Sequence, residues 1–190
     1  MEKTVKIAVA VGFLLIVLAF SGILLNRAGN ALEKAAYPLT YREIVEEKSK
    51  EYGVPLSVIY AMIKQESNFD PNAESKDGAR GLMQIMKITY EWIDRYRGES
   101  GKNWDDLYDP ETNLDYGVWL LDYCYKKFGS WETVYAAYNA GMNRVAGWLS
   151  DPMCSDDGET LKTIPYAETK NYVEKVSSYR NDYQAAYDFD

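Results

Sequence analysis

The chain has 190 residues, 21 Lys+Arg against 29 Asp+Glu for a net formal charge of −8, and no histidine. The missing imidazole excludes Ser-His-Asp and Cys-His nucleophiles and histidine-bound zinc, and the acidic balance argues against nucleic acid, whose phosphates need a positive patch. Proton transfer is left to a carboxylate, a lysine or a tyrosine. Two cysteines cannot build a four-thiolate site, and no Gly-rich phosphate loop with its lysine is present. Nothing in the sequence calls for a metal or an organic cofactor. The 17 tyrosines and 5 tryptophans serve equally as core filling or as the lining of a sugar cleft.

Residues 1–6 form a short tail, and residues 7–25 follow with nineteen positions free of charge. At helical rise they span roughly 28 Å, close to the hydrocarbon thickness of a bilayer, so this segment reads as a transmembrane anchor, with a removed signal as the alternative. Lys3 and Lys6 precede it while Arg27, Lys34 and Arg42 follow, so local charge does not set its orientation. Residues 26–39 read as a linker.

From residue 40 the pattern is helical. Thr40 and Glu43 fit a capping box, and Ile44, Val45 and Lys48 carry a first helix towards Gly53. Pro55 suits the first turn of a second helix, on which Leu56, Ile59, Tyr60 and Ile63 recur at helical spacing. Glu66 follows Ile63 by three and Ile59 by seven, so it shares their apolar face. A carboxyl placed there holds its proton more tightly than one in water and can serve as a general acid.

Residues 68–79 are rich in turn formers and read as a loop. A helix is expected over 88–96 and a turn over 103–110. Asn113 is expected to cap a helix running to Phe128, with Gly129 at its end. Ser130 caps a further helix to about Asn139. Residues 151–158 read as an acidic loop, and Pro165 opens a last helix from Tyr166 to about Tyr187. No period-2 alternation appears, so the fold class is mostly α. Met83 is assigned to the core and Met86 to the lining of a cleft. Cys124 falls in a helix and Cys154 in a loop; they either pair outside the cytoplasm or remain separate thiols.

Four blocks now stand in order: Glu66-Ser67-Asn68-Phe69, Gly78-Ala79-Arg80-Gly81-Leu82-Met83-Gln84-Ile85-Met86, Ala136-Ala137-Tyr138-Asn139-Ala140-Gly141, and Ile164-Pro165-Tyr166-Ala167-Glu168-Thr169-Lys170-Asn171-Tyr172-Val173. A fifth, Asp109 through Gly117, lies between the second and third. Together they resemble the soluble lytic transglycosylase family of peptidoglycan-cleaving enzymes over about residues 41–180. The resemblance implies a goose-type lysozyme-like helical domain over 40–190, with a cleft for strands of alternating N-acetylglucosamine and N-acetylmuramic acid.

The same resemblance implies that Glu66 is the sole catalytic acid and base, and that Tyr138 hydrogen-bonds its carboxyl and orients it. By position, Ser75, Gln84 and Met86 resemble contacts to sugar and N-acetyl groups. Asn139 and Tyr166 resemble cleft residues, and Glu168 a further contact. The family often has proline where this chain has Lys87, which removes preorganisation from a helix start but no catalytic atom. Such an enzyme implies a bacterial cell membrane location, with its catalytic domain outside the cytoplasm, or secretion if the leader is cut. Its partners would be peptidoglycan and a secretion, conjugation or spore-related apparatus. Two rival functions stay open: a lysozyme-like hydrolase using Asp70, Glu74 or Asp77 as second carboxylate, and a non-catalytic wall-binding scaffold.

Overall fold

The structure, a computed structural model, describes residues 20–21, 34–98 and 100–189. The chain divides into two units between Pro38 and Leu39. The helices of the second unit are α1 (Arg42–Tyr52), α2 (Leu56–Ser67), α3 (Lys87–Arg97), α4 (Pro110–Phe128), α5 (Trp131–Ala140), α6 (Met142–Leu149) and α7 (Ala167–Tyr187), with a 3-10 turn at Trp104–Tyr108. The only extended pairings among the described residues are isolated bridges joining Glu74 to Arg80 and Arg80 to Ile85. The mostly-α expectation therefore holds.

All seven residues from Ser57 to Ile63 are buried. A helix apolar on every side must be surrounded, and α2 is: it packs mainly on α7 and also on α1, with Tyr60 stacked on Tyr183 at 5.3 Å between ring centres. The long helix α4 buries Leu114, Val118 and Leu121 and packs on α1, α5 and the 3-10 turn.

Several local expectations are corrected. The capping box at Thr40 does not form. Tyr41 precedes α1 in a left-handed conformation (φ 61°) without a side-chain cap. Asn113 is not a cap either. Asp109 takes that place, accepting from the Thr112 amide at 2.9 Å with Pro110 in the first turn. Residues 103–110 form a capped 3-10 turn rather than a plain one. Helix α6 was not expected: it has glycine before it, no side-chain cap, and only Val145 and Leu149 to bury. Cys124 and Cys154 are separate, buried thiols.

Asn113 is fully buried inside α4 because it ties down the loop from residue 68 to 86. Its Oδ1 accepts from the Met83 amide at 2.8 Å. Its Nδ2 donates to the carbonyls of Arg80 at 2.9 Å and Leu107 at 2.8 Å. Gly81 is required beside it, because a Cβ there would lie 2.1 Å from Asn113 Nδ2 and the residue sits at φ +75°. Ser67 holds the same loop, donating to the Leu82 carbonyl at 2.9 Å.

The segment expected to be an anchor or signal, residues 7–25, lies outside the described residues except for Phe20 and Ser21. Among the described residues no helix is long and apolar enough to cross a membrane.

Asn113→Ala would take the partner from the buried Met83 amide and the Leu107 carbonyl, while the Arg80 carbonyl keeps the Ile85 amide at 3.0 Å. At ~1–3 kcal/mol for a buried group left unpaired, we expect urea unfolding to show a loss of about 2 kcal/mol or more. A loss below about 1 kcal/mol would mean that the loop holds its shape without Asn113.

Candidate active site

Glu66 is the penultimate residue of α2. Its carboxyl is closely surrounded by protein, though part of the side chain keeps contact with solvent. Burial pushes its pKa from 4.5 up to about 7, against the opposing pull of a hydrogen bond from Tyr172. The carbonyl end of a helix also disfavours an anion. Tyr172, on α7, donates its hydroxyl to Glu66 Oε1. Burial, and then the neighbouring carboxylate, keep this phenol protonated, so it stays a donor.

Tyr138 does not fill the role expected of it. Its hydroxyl donates to the Met83 carbonyl at 2.7 Å, and the residue that holds Glu66 is Tyr172. The physical reason is the loop. Met83 sits in the interior with its amide on Asn113, and its carbonyl needs a donor as well. Tyr138 supplies it. Tyr138 still stands near the carboxyl, since the Glu66 charge adds to burial in raising its pKa.

Glu66 opens into a hollow of about 390 Å³ lined by Gln65, Glu66, Asn139, Glu168, Asn171, Tyr172 and Lys175. The structure thus brings three of the expected site residues together: Glu66, Asn139 and Glu168. Thr169 donates to Asn139 Oδ1 at 2.7 Å, which leaves the Asn139 amide hydrogens for a ligand. A second hollow of about 440 Å³ lies between α3 and the start of α6, and its wall begins at Ala140, the residue after Asn139 of the first. Tyr166 stands exposed at the start of α7, edge-on to Trp148 at 5.3 Å.

The remaining expected contacts are partly committed to the scaffold. Ser75 Oγ accepts from the Ala79 amide at 2.9 Å, closing a turn, and keeps its hydroxyl hydrogen and one lone pair. Gln84, in a left-handed conformation (φ 47°), donates from Nε2 to the carbonyls of Ala73 at 3.1 Å and Gly81 at 3.0 Å, and keeps only its amide oxygen. Met83 is fully buried, and Met86 is 37% exposed at the start of α3. None of Asp70, Glu74 and Asp77 lines the hollow. Asp70 accepts from the Asn72 amide, and Glu74 receives Tyr108 and Arg80.

The transglycosylase SLT domain family matches residues 43–160. The chain belongs to that family. It is 35% identical over 147 residues to a soluble lytic murein transglycosylase from Escherichia coli K12, covering 75% of this chain and 23% of that protein. A membrane-bound lytic murein transglycosylase C from Yersinia pestis is 29% identical over 177 residues, 82% of this chain and 49% of that one. Among solved structures, an inactive Glu→Gln mutant of lytic transglycosylase Slt from Pseudomonas aeruginosa superposes with a TM-score of 0.70 at 33% identity, over 80% of this chain and 25% of that chain. The 70 kDa soluble lytic transglycosylase of E. coli gives the same TM-score at 32% identity. The chain therefore spans about a quarter of the soluble relatives it matches.

Tyr172 is the residue that sequence reasoning missed. Thr169, Tyr172, Val173 and Val176 share the buried face of α7, and that three-and-four spacing was the available signal.

Glu66 also predicts how stability depends on pH. Between 4.5, its ordinary pKa, and about 7 in the fold, the folded state keeps a proton that the unfolded state has lost. Stability therefore falls as pH rises through that window. Glu66→Gln removes the ionisation, so its melting temperature should gain on the wild type across the window and level off above it. The gain should reach at most ~3 kcal/mol, from 1.36 kcal/mol per pK unit. A difference that does not change with pH would place Glu66 in an ordinary solvated setting.

Proposed function

We propose that this domain is a lytic transglycosylase that cleaves the bond from N-acetylmuramic acid to N-acetylglucosamine in peptidoglycan and closes a 1,6-anhydro ring. The observation that carries this reading is the Glu66 carboxyl, held near pKa 7 by burial and hydrogen-bonded by Tyr172, at a hollow wide enough for a sugar. Family membership supports it, as does the inactivity of a relative that carries one glutamate-to-glutamine change.

Glu66 starts as the neutral acid and gives its proton to the glycosidic oxygen as the bond to muramyl C1 breaks. Its carboxylate, steadied by Tyr172, then takes the proton of the muramyl C6 hydroxyl. The C6 oxygen closes on C1, and no water is consumed. A nucleophile inside the same sugar has high effective molarity, which offsets the missing second carboxylate. Asn139, with its amide hydrogens free, would contact a substrate carbonyl. Gln84 and Ser75 would offer one polar atom each, and Met86 and Tyr166 apolar surface at the cleft edge. Tyr138 acts by fixing the Met83 peptide.

A lysozyme-like hydrolase is the second reading, because Glu168 lines the same hollow and could activate water. Residues 7–25 would anchor the domain at the outer face of a bacterial membrane, and a relative named as membrane-bound supports this placement. A tethered domain of this size would open the wall locally, as a secretion, conjugation or spore-related apparatus requires.

Mass spectrometry of digested peptidoglycan tests the chemistry. We expect muropeptides lighter by one water than hydrolysis products, and none from Glu66→Gln. Reducing ends would instead establish the hydrolase and direct attention to Glu168. Tyr172→Phe should lower kcat by roughly 10- to 100-fold, the range for a hydrogen bond to a charged group. It should also move the alkaline limb of the pH–rate profile upward, because Tyr172 holds the Glu66 pKa down. An unmoved limb would take Tyr172 out of the reaction.

A further inference from the structure

We propose that Arg144 binds a carboxylate carried by the muramyl unit and so sets which strands the cleft accepts; this rests on the function proposed above. The net charge of −8 disfavours an anionic polymer in general, so recognition of an acidic strand needs a cation placed locally. Three arginines among the described residues lie over aromatic rings. Arg80 covers Trp104 and Tyr108 but is paired with Asp105 at 2.6 Å. Arg97 covers Tyr116 but is paired with Asp115 at 2.6 Å.

Arg144 differs from both. Its guanidinium lies 5.1 Å over the ring of Tyr166, which Trp148 braces edge-on. It forms no ion pair with any described residue, and its side chain is exposed. It also lines the second hollow, whose Ala140 directly follows Asn139 of the Glu66 hollow in the chain. A guanidinium held over a ring keeps its N–H groups available, and their planar fork fits a carboxylate through two parallel hydrogen bonds. The muramyl unit offers this group in two ways. A stripped strand exposes the carboxylate of its lactyl ether, and a substituted strand carries the carboxylates of the stem peptide.

The test measures binding to the full chain in the Glu66→Gln background, which removes turnover. The probes are glycan tetrasaccharides with a free lactyl carboxylate, with that carboxylate capped as an amide, with a stem peptide, and with a stem peptide whose carboxyls are amidated. Arg144→Ala should weaken one or both carboxylate probes about tenfold, the low end for a hydrogen bond to a charged group. Both capped probes should change less than twofold, and Arg144→Lys should fall between. Loss confined to the stripped acid identifies the lactyl group, and loss confined to the peptide probe identifies the stem. Equal weakening of acid and amide would reduce Arg144 to packing on Tyr166. No weakening, or no preference of the Arg144 protein for acid over amide, overturns the proposal. Arg144-dependent preference without anhydro product from the Glu66 protein would keep this site and remove the catalytic reading.

Discussion

A carboxyl at the carbonyl end of a buried helix is the constraint around which this domain is arranged. Nothing in the interior of α2 tolerates solvent, from Ser57 to Ile63, so the helix must be enclosed by α1 and α7. Glu66 is carried into that enclosure one turn later. Left alone, an ionised carboxylate there would cost several kcal/mol. Two features contain the cost: the proton is retained to about pH 7, and α7 is placed so that Tyr172 can donate when the proton leaves. The packing of α7 on α2 is thus at once the largest helix contact of the fold and the means of holding the acid.

A second layer of constraint is the loop from residue 68 to 86. It crosses the interior with exposed peptide groups, and each buried one must find a partner. Asn113 takes the Met83 amide and the carbonyls of Arg80 and Leu107; Tyr138 takes the Met83 carbonyl; Ser67 takes that of Leu82. The Gly-Ala-Arg-Gly-Leu-Met-Gln run serves the backbone first. Gly81 leaves room for Asn113, and Gly117 leaves room for Met83, whose Sδ a Cβ would meet at 2.2 Å. Residues expected to touch sugar, Ser75 and Gln84, hold the loop with one face and offer at most one polar atom with the other.

How far the sequence could be read depended on the range of the interaction. The helical spacing of Ile59, Ile63 and Glu66 is local, so both α2 and the acid on its apolar face were legible. So were Gly129 behind α4 and Ser130 before α5, because a cap acts within a few residues. Asn113 looked like a cap because its type favours caps. Its actual partners lie up to 33 residues away, beyond any local signal, and Asp109 with Pro110 made the better start. Tyr138 and Tyr172 were both in view, but which one reaches Glu66 depends on how α5 and α7 pack on α2, and spacing alone does not carry that. Helix α6 escaped because its support is tertiary: a glycine precedes it, another lies within it, and burial of Val145 and Leu149 stands in for propensity.

In the proposed mechanism the acid must act in both directions. A carboxyl with the ordinary pKa of 4.5 would be almost wholly ionised at neutral pH and could not donate. One buried with no hydrogen bond would donate poorly and hold its proton too firmly to return as a base. Burial and Tyr172 pull in opposite directions, and the value near 7 is their resultant. A group balanced there has both protonation states populated near neutral pH, which suits a residue that would first give a proton and then take one. In the proposed reaction the tyrosine would also lower the free energy of the carboxylate at the moment it forms, when the glycosidic bond has broken and positive charge has developed on the sugar. Water entering beside Glu66 would weaken both effects by solvating the anion. The apolar enclosure of α2 is therefore as much a part of the chemistry as the two oxygens that share the hydrogen bond.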